Sequence, residues 1–141
     1  MSLLITANQT VKDNQWWREI FRIHARIGEY FEIHCWSDEL KELRLAEEFG
    51  QSACFSIPDM KIVHGTVTER FVSYLLHSSK PIDCQCYNKM VPFYTIRIGN
   101  HFSSEKYGTE VILQSKSAME KEKIAYILSA VGEGVSAFYN K

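Results

Sequence analysis

The chain has 141 residues, with 16 basic and 17 acidic side chains and a net charge of −1. The hydrophobic fraction of 45% and the charged fraction of 23% are ordinary for a folded globular protein, which argues against disorder. No window approaches about 18 uninterrupted apolar residues, so the sequence predicts no transmembrane helix. The length favours one domain spanning residues 1–141.

The balance of charge also bears on partners and location. Nucleic-acid binding usually requires an excess of Lys and Arg on one face, so nucleic acid is a disfavoured partner. The first ten residues, MSLLITANQT, lack the basic segment and the long apolar run of a secretory signal. We therefore expect a cytoplasmic protein in a reducing compartment, where cysteines stay free.

The four cysteines give only a weak metal signal. Cys35 falls on the apolar face of the alternating stretch 21–35 and Cys54 falls in an apolar run, so both are expected in the core. Cys84 and Cys86 form a single C-x-C, whereas structural zinc sites typically show two pairs at C-x₂₋₄-C spacing. The sequence therefore predicts neither a metal nor a cofactor.

Residues 21–35, FRIHARIGEYFEIHC, alternate apolar and polar side chains on both sides of Gly28. This pattern predicts a β-hairpin with a three-residue loop at 27–29 and with Gly28 at positive φ. In the predicted register the apolar pairs are Phe21 with Cys35, Ile23 with Ile33, and Ala25 with Phe31. The polar pairs are Arg22 with His34, His24 with Glu32, and Arg26 with Tyr30.

The same stretch also fits an amphipathic helix, which leaves an alternative open. Apolar or aromatic side chains recur at helical spacing at Trp16, Ile20, Ile23, Ile27 and Tyr30. We favour the hairpin because β-branched and aromatic residues dominate and an interior glycine costs a helix about 1 kcal/mol. A helical turn at 14–18, capped by Asn14, is compatible with it.

The first two thirds of the chain contain further predicted elements. Residues 3–6 are expected to form a first strand, and 38–49 a helix capped by Ser37 with a net acidic exposed surface. Strands are predicted at 52–57 and 61–67, separated by a Pro58-Asp59 turn. Thr68 is predicted to cap a helix that runs to about residue 77.

The last third begins with an irregular segment, residues 78–91, of a length that is often functional. Strands at 93–98 and 109–114 are predicted to form a hairpin around a polar turn at 101–108. Ser117 and Glu120 stand at capping-box spacing, so a final helix is predicted from there to about Tyr139. Gly132 and Gly134 indicate a close contact, a kink, or an ending near Val131.

Together these elements predict an α+β fold, with an antiparallel sheet of about five to seven strands and two or three helices packed on one face. The polar face of the predicted hairpin is the candidate catalytic set: His24, Glu32 and His34. Arg22 and Arg26 flank it and suit a phosphate or carboxylate. A solvent-exposed strand face also acquires such residues without any function.

Aromatic residues and arginine dominate the hot spots of protein interfaces. The sequence therefore predicts a binding surface that includes Trp17, Arg22, Arg26 and Tyr30. The sequence contains no G-x-S-x-G, P-loop, G-x-G-x-x-G or H-E-x-x-H. We therefore expect a non-enzymatic protein-binding module, such as a small bacterial accessory or toxin-neutralising (immunity-type) protein. A homo-oligomer is also compatible. The alternative is a small hydrolase or ligand-binding domain with the candidate catalytic set beneath the 78–91 segment.

Overall fold

The computed structural model describes residues 2–53, 58–82, 87–114 and 117–140. Within them the chain folds as one antiparallel sheet of eight strands with four helices, in the order β3-β4-β2-β5-β6-β7-β1-β8. The α+β class is confirmed, with slightly more strands and helices than expected. The strands are β1 Ser2–Ala7, β2 Tyr30–Trp36, β3 Gln51–Ser52, β4 Met60–Thr66, β5 Thr95–Ile98, β6 Phe102–Glu105, β7 Glu110–Gln114 and β8 Val135–Asn140. The helices are α1 Gln15–His24, α2 Leu40–Glu47, α3 Glu69–Leu76 and α4 Ala118–Ser129.

All four helices pack on the same face of the sheet. Phe71 of α3 stacks on Phe31 of β2 at 4.5 Å, and Phe49, just after α2, lies 5.5 Å from Phe71. Phe21 of α1 lies 5.9 Å from Phe102 of β6. At the far edge, α4 contributes Ile124 and Ile127 to the same hydrophobic core. Because the helices share one face, the opposite face, here called the outer face, presents the alternate side chains of every strand.

The predicted hairpin at 21–35 is wrong, because residues 15–24 form α1 and only the second half of the stretch is a strand. The helical spacing decides the outcome because it buries one stripe of large side chains. Its members are Trp16, Trp17, Ile20, Phe21 and His24. Gly28 does adopt a positive φ of 98°, but in the turn between α1 and β2, so it costs the helix nothing. None of the six predicted cross-strand pairs therefore exists.

The predicted hairpin between 93–98 and 109–114 is also wrong. Residues expected to form a polar turn contain β6, which pairs with β5 on one side and β7 on the other. The connection from β6 to β7 is a tight turn in which Lys106, Tyr107 and Gly108 all adopt positive φ. The sequence did not predict β6, because the two middle residues of this strand, Ser103 and Ser104, are both polar and show no alternation of apolar and polar side chains.

The final helix is shorter than predicted. The capping box of Ser117 and Glu120 is confirmed, but α4 ends at Ser129 and the chain turns into β8. Gly134 makes that turn with a φ of 109°, and a Cβ there would lie 2.6 Å from the Oγ1 of Thr10. The close approach brings β8 onto β1. Of the three interpretations of the glycines, an ending near Val131 is therefore correct, and so is a close contact, which Gly134 makes with Thr10.

Other predicted elements fall close to their expected places. Thr68 caps α3 by accepting a hydrogen bond from the Phe71 amide, as predicted. Ser37 does not cap α2, because the N-cap position is Glu39, whose carboxylate instead accepts a hydrogen bond from the Trp36 amide. The strand predicted at 52–57 begins as β3, and its residues 54–57 lie outside the described residues.

Candidate binding face of the sheet

The strand register aligns one side chain from each of the eight strands into a row across the outer face. Glu32 of β2 lies opposite His64 on one side and Arg97 on the other, and each further strand adds one residue. We call this set the cross-sheet row. In order from β3 to β8 it contains Gln51, His64, Glu32, Arg97, Ser103, Ile112, Leu4 and Phe138.

Glu32 is the most heavily hydrogen-bonded member of the row. Its Oε1 lies 2.9 Å from the Nε2 of His34, and its Oε2 accepts a hydrogen bond from the Tyr30 hydroxyl at 3.0 Å. Both partners stand two residues away on β2, so the strand's alternation places them on the same face. Arg97 adds a positive charge from the neighbouring strand. The carboxylate is thereby fixed in position and in charge.

The pKa of Glu32 is set by opposing effects. Burial raises it, but the hydrogen bonds from His34 and Tyr30, with the charges of His34 and Arg97, outweigh burial and hold the pKa below its ordinary value of 4.5. Burial and the nearby Glu32 carboxylate raise the pKa of Tyr30 above 10.0. At physiological pH the Glu32 carboxylate is therefore ionised and the Tyr30 phenol is neutral.

A second carboxylate continues this network along the outer face. Glu105 of β6 accepts hydrogen bonds from the hydroxyls of Thr95, at 2.9 Å, and of Ser103. Its Oε2 also lies 3.4 Å from the Nε of Arg97. Arg97 therefore stands between two acidic side chains, and its own side chain is 49% exposed.

The exposure and the polarity of the side chains on the outer face change along and across the strands. His34, Met60, Ile62 and Thr95 are buried at one end of the polar region. Tyr30, at the other end of β2, is 50% exposed. Across the sheet the row becomes apolar, and Phe138 at its β8 end is 59% exposed.

The structure separates the candidate catalytic residues. Glu32 and His34 are neighbours on the outer face, but His24 is buried on the helix side. Its Nδ1 lies 2.7 Å from the Ile20 carbonyl oxygen, and its ring packs near Phe102. The sheet therefore lies between His24 and the other two, because α1 replaces the predicted strand.

The candidate binding residues also divide. Trp17 is fully buried and donates a hydrogen bond from its Nε1 to the Ser104 hydroxyl at 3.0 Å, so it is not accessible to a partner. Arg22 is exposed on α1, and Arg26 is exposed in the turn that follows it. Only Tyr30 of this set lies on the outer face.

Sequence reasoning missed Arg97, Ser103 and Glu105. Arg97 interrupts an otherwise apolar strand, TIRI, and this interruption was the available signal. It could not be used without knowing that β2 lies beside β5, which is a long-range pairing. Ser103 and Glu105 were missed with β6 itself.

The described part of the segment 78–91 lines a cleft elsewhere, between α2 and α3. The cleft has a volume of about 830 Å³, and its described lining includes Lys41, Tyr74, His77 and Lys80. Neither Glu32 nor His34 contributes to it. Residues 83–86 of the segment lie outside the described residues, but the three candidate catalytic residues do not lie together beneath it, because His24 is buried on the helix side.

Cys35 is buried, as expected, and burial together with Glu39, Glu42 and Glu47 raises the pKa of its thiol to about 12. Cys54, Cys84 and Cys86 lie outside the described residues. In the part of the chain that the structure describes, no three His, Cys, Asp or Glu side chains are grouped to hold a metal ion. Of the described helices, none is both long and apolar enough to span a bilayer.

Comparisons with family models, curated proteins and solved structures returned no match to this chain.

Proposed function

We propose that this chain is a non-enzymatic protein-binding module and that its binding surface is the cross-sheet row of the outer face. The observation that carries the proposal is the row itself, which continues from an ordered polar region to exposed apolar side chains. Mixed surfaces of this kind, with aromatic residues and arginine, are typical of protein interfaces.

The chemistry of Glu32 favours binding over catalysis. A general base works best when its pKa lies near the working pH, whereas the pKa of Glu32 lies below its ordinary value. Two hydrogen bonds to neighbouring side chains already hold the carboxylate. A fixed charge of this kind is suited to orienting a partner through electrostatic complementarity.

Exposed side chains supply the contacts that such a partner would make. Tyr30 offers a half-exposed ring, and Arg97 offers donors beside two carboxylates. Phe138 supplies an apolar contact at the other end of the row. A cytoplasmic toxin-neutralising protein of a bacterium is the form of this module that we propose, with the outer face presented to the neutralised protein.

The test compares two double variants that remove the same residue types from opposite sides of the sheet. Tyr30→Ala/Arg97→Ala alters the outer face, and Arg22→Ala/Tyr126→Ala alters exposed residues of α1 and α4 on the helix side. Each tagged protein is used to capture partners from an extract of its own source, with quantitative mass spectrometry and a thermal unfolding curve.

We expect the outer-face variant to lose a stoichiometric partner that the helix-side variant retains. Loss in the helix-side variant alone would place the interface on α1 and α4 and contradict the proposal. Equal capture by both variants would also contradict it.

A further inference from the structure

Strand β8, Val135–Asn140, forms one edge of the sheet and pairs with β1 on its inner side. Its register with β1 is continuous over six residue pairs, so the strand is regular. At the opposite edge, the described part of β3 has two residues. Among the described residues, β8 is therefore the longer edge strand and offers a template for pairing with another strand.

The hydrogen bonds of β1 show which backbone groups of β8 point outward. The amide of Ala7 donates to the Thr109 carbonyl next to β7, and the amide of Asn8 donates to the Gly134 carbonyl next to β8. Backbone groups alternate sides along a strand, so the even-numbered residues of β1 face β8. By the register, Ser136 and Phe138 bond to β1, while Val135, Ala137 and Tyr139 point their N–H and C=O groups away from the sheet.

We propose that β8 pairs with β8 of a second copy of this chain, antiparallel, about a two-fold axis at Ala137. Ala137 then lies opposite Ala137 of the second copy, and Val135 lies opposite Tyr139. All three outward-pointing residues of each strand take part, which gives about six backbone hydrogen bonds. The eight-stranded sheet continues from one copy into the other.

Three features favour a second copy as the partner. The outward-pointing residues are symmetric about Ala137, as an isologous interface requires. The strand VSAFYN contains no charged residue, so the two-fold axis brings no like charges of β8 together. It also lacks the Lys or Pro that commonly prevents edge strands from pairing.

The pairing also gives the exposed aromatic side chains of β8 a further neighbour, although the Lys121 ammonium already lies 5.2 Å from the Tyr139 ring centroid. Phe138 and Tyr139 are 59% and 51% exposed in the single chain. In the paired arrangement Phe138 lies beside Ser136 of the second copy on the outer face, and Tyr139 lies beside Val135 of the second copy on the helix side. The inference does not depend on the proposed function.

The decisive variant is Ala137→Pro, because it removes an outward N–H and leaves the hydrogen bonds to β1 in place. Proline is tolerated in an edge strand where the N–H faces solvent. Its ring occupies the position where the second copy would approach. The matched control, Ala137→Val, keeps the N–H and favours the extended conformation.

Native mass spectrometry and light scattering across a concentration series measure the oligomeric state. We expect the unaltered chain and Ala137→Val to dimerise, at twice 16.4 kDa per chain. The loss of two backbone hydrogen bonds predicts at least about 30-fold weaker dimerisation for Ala137→Pro. An unaltered chain that stays monomeric, or a proline variant that dimerises equally well, would overturn the proposal.

Amide hydrogen exchange of the unaltered chain is a second measurement, and it does not depend on whether the proline variant folds. Protection of the Val135, Ala137 and Tyr139 amides should increase with protein concentration, while Phe138 stays protected throughout. Unprotected exchange of these three amides at the highest protein concentration would overturn the proposal.

Discussion

At the residue scale, Glu32 has a role that depends on its neighbours in space. On its own strand it is held by Tyr30 and His34, and the adjacent strand supplies Arg97. These interactions stabilise the ionised carboxylate more than burial destabilises it. Its charge therefore contributes to the stability of the fold as well as to the outer face.

Glu32→Gln is expected to lower the free energy of unfolding by about 1 kcal/mol at pH 7, because hydrogen bonds to a charged acceptor are lost. Since the folded pKa lies below 4.5, the contribution of Glu32 is present above that pH and is lost as the pH falls through the folded pKa. The difference between the two proteins should therefore shrink in acid.

Urea unfolding at a series of pH values measures this difference, with Glu122→Gln on the exposed surface of α4 as the control. A gap between Glu32→Gln and the unaltered protein that stays constant into acid would contradict the proposed role of the charge.

Tyr107 ties the β6–β7 turn to the start of α2. Its hydroxyl donates to the Oε2 of Glu39 at 2.8 Å, while the Oε1 of Glu39 accepts from the Trp36 amide. Tyr107→Phe should lower the free energy of unfolding by about 1 kcal/mol at pH 7. Burial and then Glu39 raise the pKa of Tyr107, so its contribution is present below pH 10.0 and is lost as the pH rises further.

Unfolding curves at neutral and alkaline pH test this expectation, and Tyr126→Phe on the exposed side of α4 serves as the control. If the Tyr107→Phe protein loses as much stability above pH 10.0 as the unaltered protein does, the pH-dependent stabilisation assigned to the Tyr107 hydroxyl is wrong.

Part of this site could be predicted from single residues. The strand alternation correctly placed Glu32 and His34 on one face, because neighbours two apart on a strand share a side. Their partner Arg97 depends on β2 lying beside β5, more than 60 residues apart in sequence. Local pattern contains no information on that pairing.

At the element scale, the segment that resisted prediction was residues 15–24. Its alternation and its helical spacing were both present, and local propensity favoured the strand. Burial of Trp16, Trp17, Ile20 and Phe21 in one core favours the helix, because four large side chains leave water together. Tertiary packing therefore overrode propensity, whereas the caps at Thr68 and Ser117 are local features and were predicted correctly.

The connection from α4 to β8 depends on Gly134. Gly134→Ala is expected to lower the free energy of unfolding by about 2 kcal/mol, through strain at positive φ and contact with Thr10. Gly132 has a φ of 79°, but a Cβ added there would meet no atom within 4 Å, so Gly132→Ala should cost only about 1 kcal/mol.

Chemical denaturation compares the two glycine variants. Equal losses would show that the contact with Thr10 adds nothing to the backbone strain, and that the closure of β8 onto β1 does not require the close approach.

At the scale of the whole molecule, we propose that the two faces of the sheet have different roles, stability on one and partner binding on the other. Four helices and the aromatic core cover one face, and this packing supplies stability. The outer face keeps a row of polar and apolar side chains in register across eight strands. A rigid sheet with side chains in fixed positions suits recognition, since little conformational entropy is lost when a partner binds.

The most direct test of this assignment is site-specific photocrosslinking in the protein's own source. A photoreactive phenylalanine replaces Tyr30 on the outer face or, in a matched protein, Tyr126 on α4, both of which are exposed aromatic positions. We predict that the photoreactive residue at position 30 crosslinks to a distinct partner protein and that the one at position 126 does not. Crosslinking from Tyr126 alone, or a co-purifying partner that crosslinks to neither position, would contradict a binding surface on the outer face.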